Sequence, residues 1–306
     1  MRQSKRIGIV LPVGPNDGEA ALDTLASALH YAGASLVIVA VDDTGGHDEF
    51  AKRAEMMSAD ITVIPAPPRA PGGYGGLWVK IAAGYRWLLE RFAPEVILRL
   101  DVDALLIGSG LADRAIERFA ADPKVGLIGS YRIAADGGVR DWSWGARRLR
   151  IESGPLGLRY PSLRASQRSL LRQARPNGYA YGEHALGAGY IHRLDLADDI
   201  HARGWWDMPS LAPSRLGEDM IMGLLTVAAG YRNADFGRPA DPMAMRWRGL
   251  PAHPDELLAK GKLLTHSVRF WGDLREPEIR SIFRAARTPD KVEQNSFVPP
   301  SNGHRS

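Results

Sequence analysis

The chain has 306 residues, of which 45% are apolar and 24% charged, and a formal net charge of +4. Such a chain can bury a sizeable core without covalent staples. It contains no cysteine, which excludes disulfides, thiolate metal sites, iron–sulfur clusters and cysteine nucleophiles.

Ile7-Gly8-Ile9-Val10-Leu11-Pro12-Val13 reads as a strand, closed by the turn Gly14-Pro15-Asn16-Asp17-Gly18. Residues 19–32 follow with helical spacing, placing Ala21, Leu22, Leu25, Leu29 and Ala32 on one broad face. A second apolar strand at 36–41 ends on Asp42-Asp43, and a helix near 48–57 leads to a third strand at 61–65. This alternation, with strands apolar on both faces, predicts an α/β fold with a mostly parallel central sheet flanked by helices.

Residues 65–76 are rich in proline and glycine and predict a loop. Its Gly72-Gly73-Tyr74-Gly75-Gly76 run is either a mobile loop beside a phosphate-bearing ligand or a plain connector. An amphipathic helix at 77–92 carries Lys80, and the buried strand at 96–100 ends on Asp101-Val102-Asp103. A helix at 110–121 and a strand at 125–130 follow. The stretch 131–182 shows few periodic segments. Regular structure returns at 185–192, 194–203 and 220–229, and the polar tail from 288 is expected to be disordered.

No apolar run approaches the roughly 20 residues needed to span a bilayer. The run 7–13 is too short for a secretory signal, and a cytoplasmic protein is expected. The arginines read as dispersed rather than gathered in one block, so no nucleic-acid partner is expected. A nucleotide diphosphate, or a lipid-linked acceptor with peripheral membrane contact, is the other use for positive charge besides a solvated surface.

Three acidic or histidine-bearing features can carry chemistry. Residues i and i+2 of a strand point to one side, so Asp101 and Asp103 can converge on a hard cation such as Mg²⁺ or Mn²⁺, or merely cap the next turn. Glu218-Asp219 stand where a helix begins, either as acids favoured by its dipole or as a general base for an attacking hydroxyl. His266, after Leu263-Leu264-Thr265, is a core or surface histidine or completes a metal shell. Lys80 and Arg269 can add positive charge for a diphosphate, Lys80 equally being a solvated helix position. Trp142, Trp144, Trp205 and Trp206 either stack on an acceptor or pack internally, Trp205-Trp206 being favoured for the acceptor by their place before Glu218-Asp219.

Taken in order, Asp42-Asp43, Lys80, Asp101-Val102-Asp103, Gly187-Ala188-Gly189-Tyr190, Gly217-Glu218-Asp219 and His266 resemble the inverting glycosyltransferases of the GT-A fold, especially the family-2-like group, over residues 6–271. The resemblance implies one GT-A domain over 1–287. Its nucleotide-sugar-binding half would cover about 1–110 and its acceptor-binding half about 111–287. It further implies that Asp43 or Asp42 reads the base and Asp103 holds Mn²⁺ or Mg²⁺ bridging the donor diphosphate. Asp101 would lie near the ribose or the metal's water shell. Asp219 would be the catalytic base, Glu218 would bind acceptor, and His266 would align with a metal-ligand histidine of some members. The family's default donor is a UDP-sugar, and the acceptor is a hydroxyl on a saccharide, glycolipid or small molecule.

Two departures matter. The polar turn usual after the first strand is replaced by Pro12-Val13-Gly14-Pro15. The Gln-x-x-Arg-Trp motif of processive synthases retains Arg246-Trp247 but has Met243 at the glutamine position, which points to non-processive transfer. The alternatives are a sugar-phosphate nucleotidyltransferase, whose basic glycine-rich signature is missing from 14–18, and a non-catalytic nucleotide-sugar-binding protein.

Overall fold

Seven strands form one sheet in the computed structural model, which describes residues 2–46, 49–68 and 75–287. The first half supplies β1 (Gln3–Val13), β2 (Leu36–Asp42), β3 (Ile61–Pro65) and β4 (Phe92–Leu100). The second half supplies β6 (Val125–Gly129), β7 (Gly189–Arg193) and β8 (Arg232–Asp235). The order is β3-β2-β1-β4-β7-β6-β8. All neighbours are parallel except β7, which runs antiparallel to both β4 and β6. The mostly parallel sheet expected from the alternating pattern is therefore present.

Chain order reverses between β1 and β4, and at such a switch point the carboxyl ends of the strands leave a crevice for ligands. Asp101 follows β4 directly into that crevice.

Strand alternation sorts the core into two layers. Val10, Val39 and Ile97 face α3 (Gly75–Arg91), α6 (Pro161–Ala174), α7 (Leu194–Ala202) and α8 (Glu218–Ala228). Ile9, Leu11, Ile38 and Leu98 face α1 (Gly18–Tyr31), α2 (Phe50–Met57) and α4 (Leu111–Ala121). Helix α3 lies close on the sheet because Gly84 has no side chain: a Cβ there would stand 2.6 Å from Val10 Cγ1.

On α1 the buried face includes polar residues that sequence spacing passed over. Thr24 Oγ1 donates to Val102 O at 2.6 Å, and Ser27 Oγ accepts from Leu106 N at 3.0 Å. They dock α1 against β5 (Ala104–Leu106), an edge strand of a second small sheet whose other strands are β10 (Leu264–His266), in the middle, and β9 (Met243–Met245).

The stretch 131–182, expected to be poor in regular structure, holds a helical hairpin of α5 (Ser143–Ser153) and α6. Its buried positions on α6 are Leu163, Gln167, Leu170, Leu171 and Ala174, a helical stripe whose glutamine hides the pattern. Gln167 Nε2 donates to buried Glu152 Oε2 at 2.7 Å. The same carboxylate accepts from Ser214 Oγ at 2.7 Å and Arg215 N at 2.8 Å. A polar pair thus fastens the hairpin to the segment that leads into Glu218. Residues 72–74 of the glycine-rich run and the tail from 288 lie outside the described residues, while Gly75 and Gly76 open α3.

Candidate functional site

The site gathers around the end of β4. In the small sheet, antiparallel pairing of β10 with β5 sets His266 opposite Ala104. Val268 N also donates to Asp103 O at 3.0 Å. This register brings together Asp101, Asp103 and His266, each offering a ligand atom within 4.8 Å of the others'.

His266 Nδ1 lies 2.7 Å from Arg246 O, and a carbonyl only accepts, so Nδ1 carries the proton. In the neutral ring Nε2 is then a lone pair, 3.3 Å from Asp103 Oδ1. Two acceptors facing each other need a cation between them, either a proton on Nε2 or a metal ion. An imidazole whose other nitrogen donates to a backbone carbonyl is also how metal-ligating histidines are oriented. Two carboxylates and one imidazole form a hard, mixed O/N donor set that fits Mn²⁺ or Mg²⁺.

Asp103 is buried, which opposes its ionisation. With Nε2 protonated, the hydrogen bond from His266 and the guanidinium of Arg269 outweigh burial and hold the carboxyl well below the usual range. Its Oδ2 accepts from Arg269 Nε at 2.8 Å and Ser267 Oγ at 3.0 Å. The terminal nitrogens of Arg269 make no hydrogen bond among the described residues, and its side chain is largely exposed.

Asp101 is held differently. Fully buried Arg99 reaches it with Nη2 at 2.8 Å, reaches Glu218 Oε1 at 3.0 Å, and donates through Nη1 to Gly187 O. Burial works against the Arg99 charge, but Asp101 and Glu218 more than offset it, and its pKa is raised. Glu218 is pushed well above the usual carboxylate value by burial, opposed by Arg99 and reinforced by Asp219 and Asp101. Sequence reading missed Arg99, although an arginine inside the apolar run Val96-Ile97-Leu98-Arg99-Leu100 is the signal that marks it.

Gly187 lets these acids approach the β4 end. A Cβ at that position would lie 3.2 Å from Asp219 Oδ2 and from both Glu218 carboxylate oxygens. Two cavities meet here. The smaller, about 430 Å³, is lined by Gly14, Lys80, Asp101, Asp103, His266 and Arg269 among others. The larger, about 950 Å³, includes Arg140, Trp144, His184, Met220, Met245 and Trp247. Asp219 lines both, whereas Glu218 lines only the smaller.

Behind Asp219 stands a second unforeseen pair. His184 Nδ1 is 2.7 Å from Gly182 O and so carries the proton, leaving Nε2 to accept from Arg140 Nη2 at 3.1 Å. Nε2 is 3.7 Å from Asp219 Oδ2. Burial pushes the imidazole pKa down, partly opposed by Asp219. Neither residue has a local sequence signature, because their meeting depends on the segment after β6 crossing the one before β7.

The remaining expected residues are placed as follows. Lys80 Nζ pairs with Asp43 Oδ2 at 2.5 Å and also lines the smaller cavity. Asp42 accepts from Thr44 N at 2.7 Å, closing the turn after β2. Glu218, expected to contact acceptor, is buried against Arg99 and lines only the smaller cavity. Trp205 and Trp206, expected at the acceptor, line neither cavity. Trp206 is 2% exposed, stacks on Tyr85 at 4.3 Å and donates from Nε1 to Ala197 O at 3.0 Å. Arg203 covers the ring of Trp205 at 4.9 Å. The tryptophans at the larger cavity are Trp144 and Trp247.

No protein-family model and no curated protein matches the chain. Among solved structures it is similar to the mannosyltransferase PcManGT from Pyrobaculum calidifontis, in complex with GDP-Man and Mn²⁺. The identity is 16%, the match covers 94% of this chain and 70% of that one, and the TM-score is 0.43. A likeness at that level carries no argument, and the functional reading rests on the geometry of the site.

Proposed function

We propose that the chain is a metal-dependent glycosyltransferase of GT-A type that moves a sugar from a nucleoside diphosphate to an acceptor hydroxyl, with inversion and without processivity. The observation that carries this reading is the position of Asp219, which lines both the cavity holding Asp101, Asp103 and His266 and the larger cavity beside it.

In this reading the donor occupies the smaller cavity and the acceptor the larger. Asp103 and His266 hold a divalent ion with Asp101 alongside, and the ion supplies Lewis-acid charge to the diphosphate when bound. Lys80 and the free end of Arg269 add positive charge to the same phosphates. Asp219 takes the proton of the attacking hydroxyl as the new bond to the anomeric carbon forms. The sugar–phosphate bond breaks and the nucleoside diphosphate leaves. His184, its Nε2 turned toward Asp219, steadies the proton that arrives there. Glu218 and Arg99, at the smaller cavity, fix the backbone under Asp101 and Gly187.

The test is release of nucleoside diphosphate from UDP- and GDP-linked sugars, with Mn²⁺ or Mg²⁺ and with excess chelator. Metal-dependent release abolished in Asp103→Asn is the expected result. Full activity in chelator, or in that variant, overturns the assigned metal role. Pyrophosphate release from a nucleoside triphosphate and a sugar phosphate would replace the reading with nucleotidyl transfer.

A further inference from the structure

We propose that the tip of the α5–α6 hairpin docks on an anionic lipid bilayer. Residues 142–182 contain eight arginines and a single acid, Glu152, a net charge of +7, while the rest of the chain carries −3. The positive charge is therefore gathered in one structural unit, contrary to the dispersed pattern read along the whole chain.

The one acid does not offset it at the surface. Glu152 is buried and its carboxylate is committed to Gln167, Ser214 and Arg215. Arg164, Arg168, Arg172 and Arg175 follow each other at intervals of four, four and three, so they share one face of α6 and its end. Arg147, Arg148 and Arg150 lie on α5, and Arg159 in the turn between the helices. None of these eight makes an ion pair among the described residues, although arginines at positions 2, 6, 193 and 280 all pair with carboxylates. Uncompensated like charge opposes folding by self-repulsion, and an anionic partner relieves it.

The turn adds an apolar wedge. Leu156 is 78% exposed and Leu158 65%, with Tyr160 also exposed. Gly157 between the leucines is buried: a Cβ there would stand 1.8 Å from Glu152 O, so the turn is pinned and both leucines face outward. Pro155 and Pro161 bracket the turn. Basic residues around exposed leucines and a tyrosine match the headgroup layer and the acyl boundary beneath it. Polynucleotide fits less well, because leucines neither stack on bases nor contact phosphates.

The experiment is flotation of the full chain with vesicles of phosphatidylcholine alone and of phosphatidylcholine with phosphatidylglycerol, without donor or acceptor. It therefore stands apart from the sugar-transfer reading. Binding to the phosphatidylglycerol vesicles only, falling as salt rises, is expected. Arg168→Gln with Arg172→Gln weakens partitioning by up to about 25-fold, the ceiling of about fivefold for each arginine held at the surface. Leu156→Ser with Leu158→Ser weakens it at least about tenfold with the charge unchanged. All four residues are exposed, and melting curves of the variants should match the parent. No binding to anionic vesicles, binding indifferent to the two leucines, or tighter binding to heparin or single-stranded polynucleotide each overturns the proposal.

Discussion

His266 turns Nε2 toward Asp103 Oδ1 at 3.3 Å while its Nδ1 is committed to Arg246 O, 2.7 Å away. That tautomer makes the imidazole a donor on its structural side and a lone pair on its chemical side. His266→Ala should therefore weaken Mn²⁺ binding by at least about tenfold, no less than the loss of an outer-shell partner costs. Calorimetric titration of Mn²⁺ into the parent and the variant reads this directly, and equal affinities would remove His266 from the ligand set.

Asp219 and Glu218 are adjacent but should fail in different ways. Asp219→Asn leaves the fold intact and lowers kcat by about 10²–10⁴, the usual worth of a general base. Glu218→Gln leaves buried Arg99 with Asp101 as its remaining acidic partner and should cost about 3 kcal/mol of stability. Urea unfolding beside steady-state kinetics separates the two. A stable, inactive Glu218→Gln would transfer the chemical role to Glu218.

Gly187→Ala places a methyl 3.2 Å from three carboxylate oxygens. The neighbours must give way, at a cost of about 1–3 kcal/mol, and the displaced groups are Glu218 and Asp219. Activity should fall far more than the melting temperature. Unchanged kcat would mean that the acids need not hold their present positions.

Burial pushes the His192 imidazole down to about 3, against about 6.5 in an unfolded chain. The unfolded state then binds the extra proton, so this contribution to stability is fully present above about pH 6.5. It is lost as pH falls toward about 3, at up to about 1.4 kcal/mol per unit. His184 is shifted in the same direction. His192→Asn should flatten the fall in unfolding free energy between about pH 6.5 and 5. A slope identical to the parent's would place the acid sensitivity elsewhere.

Glu152→Ala removes the acceptor of hydrogen bonds from Gln167, Ser214 and Arg215. Orphaning buried donors costs about 1–3 kcal/mol each, so a loss of about 3 kcal/mol is expected. Faster amide exchange in residues 212–217 would show that the loosened segment is the one leading into Asp219.

The strands were legible because each apolar run in a sheet covered on both faces is continuous, and Asp101-Val102-Asp103 stood out against such a run. The α5–α6 hairpin was not, because Gln167 and Glu152 occupy core-facing positions and satisfy each other there. The tryptophans misled for a related reason: proximity in sequence to Glu218 placed Trp206 beside the acceptor, whereas packing on Tyr85 and Trp78 holds it in the core. Arg99 was legible in principle, as an unexplained charge inside a buried strand.

The sequence by itself determined the alternating α/β order and the strand ends that carry acids, since these follow from local period and composition. Only the tertiary structure decided which of those groups meet. Pairing of β10 with β5 sets His266 beside Asp103 across more than 160 positions of chain. The crossing of the segments around His184 and Arg140 backs Asp219, and Gly187 sets how closely the two acids approach. Strand register and side-chain volume act through space, and no spacing along the chain encodes them.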